Sequence, residues 1–242
     1  MRAAVVELRG VSSASPRAPL EGLDFSLGEG DAVVVLGHPG AGKTSLVRLL
    51  AGLDDVAAGS FELFGVEVRG LRYGPLRALR DRVAAVFEHG GVWSARTVLE
   101  NLVLPMAYRT NRPVSELARD ARLTALVSAL ALGGVGDRPT SSLDESERRR
   151  VLFVRALYMN PELLLVDEPR TALTRGHRRL VADLLAEERR TRAMSILYTS
   201  GDARFEPFEC DRPVVLDGRR IVPGAVRLPE RMVRGAQAEP SS

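Results

Sequence analysis

The order of apolar and polar positions divides this chain into short buried runs and longer amphipathic ones. Five segments are apolar without alternation: "DAVVVLG" (31–37), "RVAAVFE" (82–88), "ELLLVDEP" (162–169), "AMSILYTS" (193–200) and "RPVVLDGRR" (212–220). Runs of this kind read as strands buried on both faces. "TSLVRLLAG" (44–52) has helical spacing and a terminal glycine that stops it. Strands with helices between them imply a mainly parallel sheet covered on both sides. Residues 97–157 read as mostly helical, through "TVLENLVLPM", "VSELARDARLTALVSALAL" and "SERRRVLFVRALYM". The expected class is α/β with a helical insertion, without internal repeats.

Composition adds limits. At 242 residues, 45% hydrophobic and 27% charged, the chain has enough apolar content for a sizeable core. No apolar run approaches the ~18 residues of a membrane span. The start, "MRAAVVELRG", lacks the apolar run of a signal peptide. Cys210 is the one cysteine, which excludes an internal disulfide and fits a reducing cytosol. The net charge of +3 is spread along the chain and aromatics make up 5%, so no stacking platform for bases shows and no nucleic-acid partner is expected. Residues 229–242 end in "RGAQAEPSS", small and polar, and are expected to be disordered.

One residue choice carries chemistry. Of 34 lysines and arginines, a single one is lysine, Lys43. It lies in "GHPGAGKT" (37–44), which fits G-x-x-x-x-G-K-[ST] directly after an expected strand and at the start of an expected helix. Glycines at 37, 40 and 42 let backbone N–H groups close around phosphate oxygens, and a helix N-terminus adds partial positive charge. A compact ammonium suits such a loop better than the wide fork of arginine. The simpler alternative is a glycine turn before an ordinary helix. The candidate nucleotide-binding set is Gly37, His38, Pro39, Gly40, Ala41, Gly42, Lys43, Thr44 and Ser45.

"LLLVDEP" supplies a second group. Asp167 ends an apolar strand, where it is placed to hold Mg²⁺, and Glu168 follows as a candidate general base toward water. The simpler alternative for this pair alone is a polar strand end. Beside a phosphate loop it reads as a site for Mg²⁺ and ATP.

At this point the chain resembles the nucleotide-binding subunit of an ABC transporter, over roughly residues 5–228. The resemblance rests on "GHPGAGKT", on "VLENLVLPM" after "VFE", on "RRRVLFVRALYMNPELLLVDEP" and on "LDGRRIVPG". It implies a P-loop NTPase (RecA-like) fold, a mostly parallel sheet flanked by helices with an antiparallel β part and a helical subdomain. In this reading residues 1–228 form the ATP-binding domain, with the α/β core at about 1–87 and 151–228 and the helical subdomain at about 88–150. The resemblance also implies a second ABC ATP-binding subunit, the same chain or another, with ATP held between the two. Membrane-spanning permease subunits complete the set, and the location is cytoplasmic, peripheral on the inner face of the cell membrane. Thr44, Asp167 and Glu88 are the implied metal positions, and Glu168 the catalytic one.

Several positions depart from that family. Where its signature LSGGQ stands, this chain has "LDESE", Leu143 to Glu147. In the family, serine and glycine there grip a γ-phosphate. Here Asp144, Glu145 and Glu147 bring negative charge, which at ~4 Å repels a phosphate by about 1–4 kcal/mol. Asp144 and Glu147 nonetheless have the spacing of a capping box. The family's Q-loop glutamine falls on Glu88, its switch histidine on Ser200 and its D-loop aspartate on Thr174. His38, His89 and His177 stand elsewhere and read as surface residues. "GVSSASPRAP" (10–19) offers no ring for adenine to stack on.

Three readings follow. The chain is an ABC-type ATPase subunit with weak or partner-dependent hydrolysis. Otherwise it is an ATP-binding module of the same fold that stabilises an assembly without turnover, or a non-transport ABC-type protein, which the absence of a long coiled-coil insertion disfavours. Residues 89–106 resemble the lipid-asymmetry and lipoprotein-export branches, and residues around Glu88 to Asn101 are expected to face the permease. Trp93, the one tryptophan, is expected to anchor that interface or to pack within the helical part.

Overall fold

The computed structural model describes residues 3–15, 18–202 and 208–222. The expected disordered segment 229–242 lies outside them. The chain opens on strands β1 (Ala4–Ser13), β2 (Leu23–Gly28) and β3 (Ala32–Leu36), then helix α1 (Lys43–Leu50). β4 (Val56–Leu63), β5 (Val66–Glu67), α2 (Tyr73–Arg80) and β6 (Val83–Val86) lead to the helical region. That region holds α3 (Val98–Thr110), α4 (Val114–Leu117), α5 (Ala121–Ala129), a 3-10 turn (Thr140–Ser142) and α6 (Glu145–Tyr158). β7 (Leu163–Asp167), α7 (Arg175–Arg192), β8 (Ser195–Ser200), β9 (Arg212–Asp217) and β10 (Arg220–Val222) follow.

The larger sheet has the order β10-β9-β3-β8-β7-β6. Its pairs are parallel except for the β9–β10 hairpin. Every residue of β3, β7 and β8 is buried, so these strands carry apolar runs without alternation. β9 and β10 are joined through Gly218 and Arg219, both left-handed, as a two-residue hairpin turn requires. The expected strand 212–220 therefore breaks after Asp217.

The smaller sheet is antiparallel, in the order β2-β1-β4-β5. Its β2 alternates buried and exposed positions, because one face is solvated. The larger sheet divides two cores. Ala32, Val34 and Leu36 of β3 join the core under the helical region, with Leu102, Phe153 and Val166. Val33 and Val35 face the core shared with the smaller sheet, with Leu8, Leu46 and Phe61.

The helical reading of 114–132 is corrected in one place. The Asp120 side chain accepts the N–H groups of Arg122 and Leu123, which ends α4 and starts α5. A short acceptor side chain competes here with helix continuation.

Candidate functional site

The loop after β3 is built around two glycines that no larger residue replaces without movement. A Cβ on Gly37 would lie 2.7 Å from the Leu216 carbonyl oxygen. Gly42 has φ +103, and a Cβ there would lie 2.9 Å from Leu20. Gly37 N–H donates to Ser200 O at 3.1 Å, which ties the loop to the end of β8. Ala41 N–H donates to His38 O at 3.1 Å, and the Ala41 side chain is buried in the core.

Lys43 folds back over this loop. Its Nζ donates to Gly37 O at 2.8 Å and His38 O at 3.4 Å. Pro39, Gly40, Gly42, Lys43, Thr44 and Ser45 line a cleft of 560 Å³, and Glu88, Asp167 and Glu168 line it too. Most of the expected set therefore shares one cavity. His38 turns outward instead, with Nδ1 2.7 Å from Pro39 O and Nε2 3.8 Å from Asp217.

Asp167 is 1% exposed at the end of β7. Its Oδ2 accepts from Thr44 Oγ1 at 2.7 Å, and its Oδ1 accepts from the Thr199 hydroxyl. Glu168 has φ +48, an uncommon conformation for a non-glycine residue, and its N–H donates to Thr199 Oγ1 at 3.2 Å. Its Oε1 lies 3.3 Å from Lys43 Nζ. Burial raises the Glu168 pKa; Lys43 opposes that rise, and the charges of Glu88 and Asp167 add to it. Glu88 Oε1 accepts from Thr171 Oγ1 at 3.3 Å.

The donor set fits Mg²⁺ of one kind. Among the described residues no cluster of three histidine, cysteine or acidic side chains could cage a metal ion. Thr44 Oγ1 and the Asp167 carboxylate are nonetheless adjacent and open to the cleft. Mg²⁺ commonly keeps waters and binds through one or two carboxylates plus substrate phosphates. These residues therefore suit an ion that arrives with a phosphate chain.

One residue of the site gave no sequence signal. Arg149, on α6, is 2% exposed. Its guanidinium donates to the carbonyls of Asp167 (2.6 Å), Glu168 (3.0 Å) and Phe87. It thus pins the backbone before Glu88 and the left-handed Glu168 from one side chain. Burial pulls its pKa down to about 10, with Asp167, Glu88 and Glu168 opposing the fall. It sits inside "RRR", between Arg148 and Arg150.

At the altered signature the expected capping box is present. Glu147 N–H donates to Asp144 Oδ1 at 2.6 Å, and Asp144 N–H donates to Glu147 Oε2 at 3.1 Å. Arg138 pairs with Glu147 at 2.9 Å. Ser146 Oγ lies 2.6 Å from His177 Nδ1. His177 therefore joins α7 to the start of α6, a correction to its reading as a surface residue. Thr174 caps α7, accepting the His177 N–H at 3.2 Å. Ser200 is 3% exposed, and its hydroxyl closes on Asp202 N–H and O. His89, in contrast, is exposed and 3.9 Å from Glu88. Ser15 and Ala18 line the cleft from the 10–19 segment, and no aromatic ring lines it among the described residues. Trp93 is 48% exposed, so it does not pack away within the helical region.

Comparison with known proteins gives one family. The ABC transporter family model matches residues 20–171. The chain is 34% identical to the methionine import ATP-binding protein MetN of Caulobacter vibrioides over 203 residues, 84% of this chain and 60% of that protein. It is 33% identical to the protein of the same name from Rhizobium johnstonii over 208 residues, 85% of this chain and 56% of that one. The chain thus spans about 60% of the length of such relatives. A dimeric ATP-binding cassette solved in a post-hydrolysis state with ADP and Pi has the same fold, with TM-score 0.81 and 22% identity over 95% of this chain and 99% of that one. So does cbiO1 from Clostridium perfringens, described as part of the ABC transporter complex cbiONQ, with TM-score 0.76 and 22% identity over 91% and 88%. The expected α/β nucleotide-binding fold is borne out, and the chain belongs to the ABC transporter family.

Proposed function

We propose that this chain is the ATP-binding subunit of an ABC transporter, binding Mg-ATP and coupling it to a membrane permease with weak or partner-dependent hydrolysis. The observation that carries the reading is the cleft in which Lys43, Thr44, Asp167 and Glu168 meet. Residues 37–45 hold the phosphates, Lys43 reaches their terminal oxygens, and Thr44, Asp167 and Glu88 face the metal. Glu168 takes a proton from water as general base, and its raised pKa suits that role. Residues 1–228 act as one ATP-binding unit, in which about 88–150 form the helical subdomain. A second ABC subunit and permease subunits are the partners, and the chain sits in the cytoplasm against the inner face of the membrane. Among the described residues no helix is long and apolar enough to cross one.

A second reading has a specific observation behind it. Asp144 and Glu147 of "LDESE" are engaged in capping α6, and Ser200 is closed on Asp202. Neither segment offers the phosphate-sensing group that the family resemblance implies there. This favours an ATP-binding module that stabilises an assembly without turnover. Phosphate release from Mg-ATP by the chain, beside Glu168→Gln, separates the two. Turnover that disappears in the variant supports the enzyme. ATP binding without turnover in either supports the module, and no ATP binding overturns both.

A further inference from the structure

The nucleotide cleft has residues that the phosphates do not use. Arg48 lines it one helical turn beyond Thr44 on α1, together with Ser15 and Ala18. Ala14 N–H donates to Asp55 O at 3.0 Å, which holds the 14–15 backbone beside the Arg48–Asp54 pair. A phosphate chain at residues 37–45 leaves its nucleoside to be held by groups such as these. Among the described residues no aromatic ring lines the cleft to receive the base.

Arg48 is fixed as a plate. Its Nε lies 3.0 Å and 3.1 Å from the two Asp54 carboxylate oxygens, and its Nη2 lies 2.7 Å from Oδ1. The Asp54 side chain is 5% exposed, whereas that of Arg48 is 40% exposed. The pair thus occupies one edge of the guanidinium and leaves Nη1 without a hydrogen bond among the described residues. Ser15 is 6% exposed, and its hydroxyl also has no hydrogen-bond partner among them. A guanidinium already held flat stacks on a planar ring with little further loss of side-chain freedom. A nearly buried hydroxyl without a partner favours a ligand that supplies one.

We propose that Arg48 is the platform for the nucleobase, its guanidinium stacked on the ring in place of an aromatic side chain, with the Ser15 hydroxyl bonded to the base edge. This rests on the nucleotide-binding reading and adds how the base is chosen. A purine covers the plate more fully than a pyrimidine. A hydroxyl both donates and accepts, so it meets an amino group or a carbonyl, and adenine and guanine are accepted alike.

The test is calorimetric titration with ATP, GTP, UTP and ribose 5-triphosphate, each with Mg²⁺; the last carries no base. In the unaltered chain ATP and GTP should agree within about threefold, UTP should bind about fivefold more weakly than they do, and ribose 5-triphosphate about tenfold or more. Arg48→Lys keeps the charge and loses the plane. It should bring ATP and GTP to within about twofold of ribose 5-triphosphate, whose own affinity stays unchanged. A merely structural role for Arg48 would weaken all four ligands together and would overturn the proposal. Arg48→Met combined with Asp54→Asn removes the pair without stranding a buried carboxylate, and gives the same comparison if the lysine variant fails to fold. Ser15→Ala should weaken ATP and GTP by about two- to tenfold and leave ribose 5-triphosphate alone. Discrimination between ATP and GTP beyond about thirtyfold would overturn the role given to Ser15. Equal binding of ATP and ribose 5-triphosphate by the unaltered chain would sink the base platform while leaving the phosphate loop standing. No binding of any of the four would end both.

Discussion

Two clusters of acids in this molecule do opposite work. At the end of β7, Asp167 and Glu168 are held by Thr44, Thr199, Lys43 and the backbone grip of Arg149. At the start of α6, Asp144 and Glu147 hold each other's backbone and Arg138. The first cluster opens into a cleft, while the second is closed upon its own helix. Helix capping asks only for an acceptor at the first position and a long acceptor three residues later. A segment can therefore carry acids in place of serine and glycine and still keep its helix start.

The largest effect should come from Arg149. Replacing it with methionine leaves three carbonyls and a group of acids without their cation, which should cost about 3–5 kcal/mol of stability. Urea midpoints of Arg149→Met and Arg149→Lys check this. A loss below about 1 kcal/mol for methionine would mean that the backbone around Glu168 holds itself. Next, Lys43→Ala should weaken ATP binding by about a hundredfold, or about 2.8 kcal/mol, with little change in melting temperature. Titration with a fluorescent nucleotide measures it, and an unchanged affinity would remove the phosphate-loop reading.

The signature side should respond in the reverse way. Glu147→Ala removes half of the capping box and should cost about 1–2 kcal/mol of stability while leaving ATP affinity of the isolated chain unchanged. Its half-buried pairing with Arg138 adds about 0–1 kcal/mol. Asp144→Ser exchanges one good cap for another and should stay within about 0.5 kcal/mol. A loss for Asp144→Ser as large as for alanine would show that charge rather than capping matters there.

The site was legible in the sequence where local spacing sets it. β3, α1 and β7 stand within two residues of their expected places, because a buried strand between polar ends leaves few other solutions. The capping box was legible for the same reason, since both partners lie three residues apart. The smaller sheet was expected only through the family resemblance. Its β4 buries just Phe61 and Leu63 and shows no clear alternation. α7 was hidden behind its arginines, with a narrow stripe of Val181, Ala182 and Leu185 toward the core. Contacts that join distant segments gave no signal. Arg149 reaches Phe87 across 62 positions, and Ser146 meets His177 across 31. The pattern of a single chain records what is buried and not what it touches.

The smallest effects concern titration, and they give the two regions opposite signs. Glu168 has a pKa raised above 4.5, so the fold favours its neutral form. The stability this contributes is present below 4.5 and is lost as pH rises through the raised value. Glu168→Gln keeps a neutral group throughout, so its urea midpoint should gain on the unaltered chain as pH rises from 4 to 7. His177 has a pKa lowered below 6.5, chiefly by burial and then by Arg150, with Asp144 opposing. Its neutral form is also favoured, but that contribution is present above 6.5 and is lost as pH falls through the lowered value. His177→Gln should therefore fall behind the unaltered chain above 6.5, having lost the Ser146 contact, and close the gap as pH drops. A pH series of midpoints on both variants reads the two slopes at once. Slopes of the same sign would mean that one of these groups is held in its charged form. For Glu168 that would place the pairing with Lys43 above burial, and the carboxylate would be a cation-held anchor rather than a base poised to take a proton.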